Sequence, residues 1–427
     1  MRHHLGVTAF VRFIGFLLTV TACSLPLQAE SSAAMTEYRQ RLELVRQQIP
    51  QITASAEVVA KRWVEKSPVL FHYPFGGDTS DFTMENIARA GGLDNAQPST
   101  VRVKLRTAND VYVVGPRSWE KGGDFLKKEL PKAREQGWLT VVFGSKQGMP
   151  EGLPVDFLID NGAKGGGEDE AAVNQIINMT NGWIWQCEVT AALTRLGKRP
   201  AILKGMPLPG AQAHNNEFQR GDALPALYPC DTPIPAGSLA KQYLEQVERE
   251  LAILESKSSQ DQLDRAADIA VAHVKAGKTL WACSFTHVLD GEVFLNNRSP
   301  IKAFRGISSD EKTFTDHVKP GDLLLFFGEW SLNLPWRDYL KEIRSTGGDF
   351  IAGYRVGTEA TEPYEGPADF YDQQVNDAQM VLEQEWPFEN AAVDIPFAPG
   401  KMAPVSGVYL CLQYRMLDEK IATRLAE

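Results

Sequence analysis

A chain of 427 residues, 43% hydrophobic and 23% charged, is long enough for two or three domains and ordinary enough in composition to fold around real cores. Its 54 acidic residues outnumber 44 basic ones, giving a formal net charge of −10. That balance argues against sequence-independent nucleic-acid binding, which needs a basic face, and leaves only a local pocket for a small anion.

The N-terminus stands apart. Arg2, His3, His4 and Arg12 flank or precede an apolar run from Phe13 to Val20, followed by small residues and Leu27-Gln28-Ala29. A charged start, a short apolar core and a small-residue exit form the layout of a secretory signal over residues 1–29. The run is shorter than the roughly 20 residues of an ordinary membrane span. Two readings of its end stand. Val20-Thr21-Ala22-Cys23 resembles a bacterial lipobox, in which a lipidated Cys23 anchors the mature chain to a membrane. The other is plain cleavage after Ala29. Both place the mature protein in the periplasm or cell envelope, and loss of Arg2 and Arg12 takes its charge to −12. Cys187, Cys230, Cys283 and Cys411 form no CxxC and no dense disulfide framework. Cys187 and Cys411 sit in apolar, helix-like segments and read as small buried hydrophobes.

Downstream, one plan is stated twice. Leu42, Leu44, Val45, Ile49, Ile52, Val58, Val59 and Trp63 give a helical pattern between Met35 and Lys66. Val69–Tyr73 is a strand-like run, Gly76–Ser80 a Gly/Asp/Thr/Ser loop, and a short helix with Met84, Ile87 and Ala88 ends at Gly91-Gly92. Val111–Val114, Leu139–Phe143 and Val155–Ile159 are further strands; Phe125–Glu135 is a helix, and a long helix covers about 170–196. The second half has helical periodicity over Leu239–Ala276 and strands at Thr279–Cys283, Leu323–Phe327, Phe350–Gly353 and Val393–Ile395. Helices are expected at Trp336–Ser345 and Ser406–Ala426. Gly115 and Gly328, each ending a second strand, lie 213 positions apart; Gly137 and Gly348, each before a third strand, lie 211 apart. An offset held this closely marks an internal repeat.

Short apolar strands alternating with helices predict α/β architecture: two tandem flavodoxin-like three-layer α/β/α sandwiches with parallel sheets. The expected domains are 35–205 and 236–427, joined by a Pro/Gly/Ala-rich linker at 206–235. A strictly tandem repeat argues against a periplasmic solute receptor, whose two lobes exchange strands. Ligands of such sheets bind at the carboxyl ends of the strands, so the loops after Tyr73, Val114, Cys283 and Phe327 draw attention.

Those loops carry a family resemblance. Lys275–Ile307 resembles the first strand, loop and helix of sugar isomerase (SIS) domains, closest to the group whose loop runs Gly-x-Gly-His-Ser before a helix containing Glu. Leu70–Leu93, with its Arg-Ala-Gly-Gly-Leu ending, is similar to the same element, and Lys319–Arg355 to the family's second and third strands. The resemblance implies phosphosugar binding, with aldose–ketose isomerisation in many members, while others are regulators, hydrolases or lyases. Two SIS-like domains in one chain also occur in the isomerase half of glucosamine-6-phosphate synthase. One departure stands out. Family members carry Ser-x-Ser-Gly-x-Thr after the second strand to cradle phosphate. Here the sequence is Gly115-Pro-Arg-Ser-Trp119 in one half and Gly328-Glu-Trp-Ser331 in the other. Arg117 and Ser118 replace that grip, or the ligand lacks phosphate.

The candidate ligand-binding residues are therefore Gly76, Gly77, Thr79, Ser80, Arg117, Ser118, Ser284 and Thr286. The glycines allow close approach and the hydroxyls suit a helix start; the same hydroxyls also suit simple capping, by Asp78, Thr79 or Ser80. Glu85 and Glu292 follow the two first-strand loops, where the family uses Glu for proton transfer; their other role is a dipole-favoured glutamate near a helix start. His287 falls where the resembling group has His, and is a candidate to open a sugar ring or shuttle a proton. His72, inside a strand, and Trp183, Trp185 and Tyr409, in the closing helices, read as packing residues. No His/Cys/Asp grouping has metal-ligand spacing, and no cofactor is implied.

The sequence thus predicts an envelope protein that binds a sugar or sugar-phosphate derivative, with isomerase-like chemistry or as a non-catalytic ligand-binding or interaction protein; homo-oligomer formation is left open. Mass spectrometry of the protein from its native host should find the first 22 or 29 residues missing. Loss of acylation in Cys23→Ser, with processing retained, would decide for the lipid-anchored form.

Overall fold

The computed structural model describes residues 32–427 except 88, 101–102, 165–167, 206–207, 220–224, 286–298, 304–316, 331–339, 341–342, 356–377, 388 and 399. It opens on helix α1 (Ala33–Lys66), capped by Ser32, whose hydroxyl accepts the Met35 N–H at 3.1 Å. Tyr38, Leu42, Val45, Ile49, Ile52, Ala56, Val59 and Trp63 recur every three or four residues and are all buried, so one face of α1 is committed to the core.

Strands β1 (Phe71–Tyr73), β2 (Ala96–Pro98), β3 (Val111–Val114), β4 (Leu139–Gly144) and β5 (Phe157–Asp160) form a parallel sheet in the order β2-β1-β3-β4-β5. Helices α2 (Ser80–Asn86), α3 (Trp119–Glu135) and α4 (Glu168–Arg195) accompany it. A small antiparallel pair, β6 (Lys198–Pro200) with β7 (Leu227–Pro229), brackets α5 (Ala211–Gln219). The second half begins with α6 (Ser238–Glu255) and α7 (Lys257–Lys275). Strands β8 (Leu280–Phe285), β9 (Ile301–Ala303), β10 (Leu323–Trp330), β11 (Asp349–Arg355) and β12 (Met380–Gln384) form a second parallel sheet in the order β12-β11-β10-β8-β9. An antiparallel pair, β13 (Ala391–Val393) and β14 (Met402–Pro404), precedes α8 (Ser406–Ala426). Each sheet therefore runs 2-1-3-4-5 in its own strand numbering, the flavodoxin-like winding, with its switch point between first and third strands. The molecule is α/β, two tandem sandwiches with parallel sheets.

The halves also share a side-chain clasp. The Asp110 carboxylate accepts the backbone N–H groups of Leu70 and Thr107, and His72 Nε2 lies 2.8 Å from it. The Asp322 carboxylate accepts the N–H groups of Thr279 and Lys319 and the indole N–H of Trp281 at 3.2 Å. In each half this aspartate sits just ahead of the third strand of the sheet and ties it to the first. His72 stands where Trp281 stands, stacked on Trp138 with centroids 4.4 Å apart, a packing residue of the strand.

Several sequence expectations need correction. The last strand of the second sheet is Met380–Gln384, whereas Val393–Ile395 falls at the small antiparallel pair. The edge strand alternates buried and half-exposed residues, so it lacks the continuous apolar run of a central strand. Edge strands β2 and β9 escape notice for their brevity, and Pro98 fits β2 only because an edge needs no further pairing. The helical stretch Leu239–Ala276 is two helices, broken at Ser256, whose hydroxyl caps α7 by accepting the Ser259 N–H. Gly137 matches Gly347 rather than Gly348: both have φ near +80°, at 81° and 80°, in the turn before the sheet's fourth strand. The stretch 206–235 carries α5 and β7.

Burial opposes ionisation of Asp322, but the Lys319 and Thr279 N–H groups and the Trp281 indole outweigh it and hold the carboxyl below its usual range. A depressed native value means stability that is complete above the unfolded pKa, about 3.9, and is lost as pH falls through the native value. Asp322→Ala should destabilise the chain by about 1–2 kcal/mol by orphaning these part-buried donors. Denaturant unfolding across pH 2.5–7 should show a smaller acid-dependent loss in Asp322→Asn than in the wild type.

Candidate functional site

The switch point of the first sheet lies between β1 and β3, and their exit loops meet there. After β1, Gly76, Gly77 and Asp78 take φ values of 132°, 54° and 68° in succession. Glycine is required at position 77, because a Cβ there would overlap the Phe125 side chain of α3. The turn is closed by the Thr79 N–H donating to Gly76 O at 3.1 Å and by the Thr79 hydroxyl donating to Gly76 O at 2.6 Å and Pro74 O at 3.1 Å. Thr79 occupies the N-cap position of α2 without a side-chain cap bond; its hydroxyl points back into the loop instead. Ser80, the first residue of α2, is exposed.

The loop after β3 locks onto this turn. The Arg117 N–H donates to Asp78 O at 3.0 Å. The buried Arg117 guanidinium bonds Asp81 at 2.5 Å and the side-chain oxygen of Gln175, and its Nε lies 3.9 Å from Asp78. Ser118 caps α3 by accepting the Lys121 N–H, and its hydroxyl lies 3.5 Å from Asp78. Burial raises the Asp78 carboxyl above its ordinary range, while Arg117, Lys121 and Ser118 oppose the shift. From α4, Asn174 and Asn178 donate to the carbonyls of Arg117 and Pro116, both at 2.9 Å. Gly76, Gly77, Thr79, Ser80, Arg117 and Ser118 are thus brought together. The sequence reading lacks Asp81, Asn174, Gln175 and Asn178; the signal was there in the amides at helical spacing within the apolar run of α4.

Glu85 is set apart, on α2 beyond the loop. It is fully buried, ion-paired with Arg89, and accepts the Trp183 indole N–H at 3.0 Å. Arg89 reaches on to the Ser406 hydroxyl at 3.1 Å, and a Cβ on Gly407 would lie 2.6 Å from a Glu85 oxygen, so this pair sits against the first turn of α8. Burial raises the Glu85 carboxyl, with Arg89 and Trp183 opposing. Trp183, Trp185 and Tyr409 are fully buried. Ser284 is buried in β8. Thr286, His287 and Glu292 lie outside the described residues. Among the described residues no three His, Cys, Asp or Glu side chains gather as a metal site.

No family model matches the chain, and no curated protein does. Among solved structures, the C-terminal domain of glucosamine-fructose-6-phosphate aminotransferase from Francisella tularensis is similar with a TM-score of 0.51 at 12% identity, over 93% of this chain and 97% of that one. A protein from Silicibacter pomeroyi DSS-3, provisionally assigned as a phosphosugar isomerase, gives a TM-score of 0.49 at 13% identity, over 93% and 99%. The first likeness spans both sandwiches, and the fold is SIS-like.

Removing Arg89 leaves the Glu85 carboxylate buried without its cation. Arg89→Ala should cost about 3–5 kcal/mol of stability near neutral pH. The deficit should shrink as pH falls towards the unfolded glutamate pKa, because the native state then takes up the proton first. Urea midpoints at pH 7.5 and pH 5 check this.

Proposed function

We propose that this chain binds a sugar or sugar derivative at the carboxyl ends of the first sheet, between the Gly76–Ser80 loop and Arg117-Ser118, as an exported protein of the cell envelope. One observation carries the reading: two loops distant in sequence are locked together at the switch point, where sheets of this winding take their ligands. The SIS-like fold supports it, since the F. tularensis protein of that fold is named for a sugar-phosphate reaction. The binding unit is the domain at 35–205, with 236–427 as its tandem partner across 206–235. Ser284 and Thr286 would line the equivalent strand end of that partner.

Binding without turnover is favoured over isomerisation by the state of Glu85. Aldose–ketose proton transfer needs a base within hydrogen-bond reach of the substrate. Glu85 is buried and held by Arg89, Trp183 and the start of α8. An isomerase reading rests instead on His287 and Glu292.

Calorimetry with a panel of free and phosphorylated hexoses should detect binding to the mature chain. Thr79→Ala, which opens the glycine turn, should weaken it about tenfold while the protein stays folded. NMR in deuterated water should show no exchange at sugar C2. Exchange that is lost in His287→Ala would establish the isomerase reading; unchanged affinity in folded Thr79→Ala would remove the site from this loop.

A further inference from the structure

The loop site contains a hydrogen-bond donor that the protein itself does not use. Gln175 is 2% exposed, its side-chain oxygen is engaged by Arg117, and its Nε2 is buried with no partner. Buried polar atoms are almost always paired, so an orphaned amide N–H₂ needs an explanation. The Gln175 oxygen and an Asp81 oxygen share Arg117 Nη2, so the amide belongs to the cluster on the Asp81 side of the guanidinium.

The charges of that cluster restrict what it accepts. Arg117 is shared between two carboxylates, Asp78 and Asp81, so the three together are net negative. Among the described residues, Lys121, exposed on the first turn of α3, acts on Asp78 and brings that sum to neutral. A phosphate monoester carries about −1.5 to −2 near neutrality and presents only acceptors at its anionic oxygens. A sugar hydroxyl both donates and accepts, so one hydroxyl suits an aspartate and an amide N–H₂ together. Phe75, 41% exposed at the mouth of the loop, adds the apolar surface typical of small-molecule sites.

We infer that Gln175 completes the site as a donor to a ligand oxygen, and that the ligand is an uncharged sugar in preference to its phosphate ester. The inference rests on reading this loop pair as a sugar site. Asp78 is the residue that sets the preference, since its carboxylate stands at Ser118 and Arg117, where an anionic group of the ligand would have to go.

The test is calorimetry on the mature chain with glucose, fructose and N-acetylglucosamine beside their 6-phosphates. Free sugars should bind at least tenfold more tightly than the esters. Gln175→Glu keeps the acceptor that Arg117 needs and removes the donor; it should remain folded, with an unchanged melting temperature or a higher one, and lose about tenfold in affinity for the free sugar. Gln175→Leu should show the same loss. Asp78→Asn, which retains the left-handed preference of that position, should narrow the gap between sugar and ester. Tighter binding of the esters overturns the inference while leaving the sugar site standing. So does wild-type affinity in both folded Gln175 variants, which would make Nε2 a water ligand only. Binding of no sugar of either kind overturns the site itself.

Discussion

Helix α4 is buried at every position from Ala172 to Thr194, and the rest of the molecule is arranged around that constraint. A helix with no solvent face is ordinarily apolar throughout. This one carries Asn174, Asn178, Thr180, Gln186 and Glu188, and each polar atom buried without a partner would cost stability. Thr180 meets the Tyr38 hydroxyl of α1 at 2.8 Å; Gln186 donates to Asn86 O and accepts the Leu93 N–H; Asn174 and Asn178 hold the loop after β3. A one-turn slip of α4 would break all of these together. The helix is consequently fixed in register against α1, α2 and the strand-end loops by hydrogen bonds, on top of the apolar contacts that bury it.

The same logic joins the halves. Glu188, fully buried, accepts the Thr53 hydroxyl and the N–H groups of Gly237 and Ala240, so it caps the start of α6. Glu85 lies against the first turn of α8. At Glu188 a carboxylate from the first half sits on the N-terminal turn of a helix of the second half, where unpaired N–H groups and the helix dipole favour negative charge. One apolar cluster continues across this junction, from Trp63, Val113 and Trp185 to Leu244, Leu325 and Tyr409. The two sandwiches therefore share a core rather than meeting as independent surfaces.

Much of this fold is legible in the sequence, and the limits have physical causes. Central strands such as β3, β4, β10 and β11 are buried on both faces and announce themselves as runs of Val, Leu and Phe. Edge strands β2, β9 and β12 face solvent on one side or are three residues long, and nothing in their composition separates them from loops. At the site, the glycine turn is legible because positive φ selects glycine. The coupling of Arg117 to Asp78 and Asp81 is not, since those residues lie 36 or more positions apart and only the sheet winding brings them together. Glu85 is the instructive case: its place on the helix after the first strand is correct and its i,i+4 spacing to Arg89 is legible, but sequence gives no sign that the pair is buried inside the protein.

Fold and ligand chemistry draw on different parts of this chain. The winding depends on apolar strands and on the buried polar set of α4, which can persist while the strand-end loops change. What those loops offer is settled by what they already satisfy. Thr79 spends its hydroxyl on Pro74 and Gly76, Ser118 on α3, and Arg117 on two aspartates and a glutamine. Apart from the unused amide N–H₂ of Gln175, a ligand entering here would have to displace partners, so it would gain only where it replaces a hydrogen bond with one at least as good. An incoming anion must compete with Asp78 and Asp81 for Arg117 and then leave those carboxylates unpaired. A hydroxyl adds to the existing pattern without dismantling it. If the proposed site is right, the internal ion pairs that hold the two loops together would also set the charge of what binds between them.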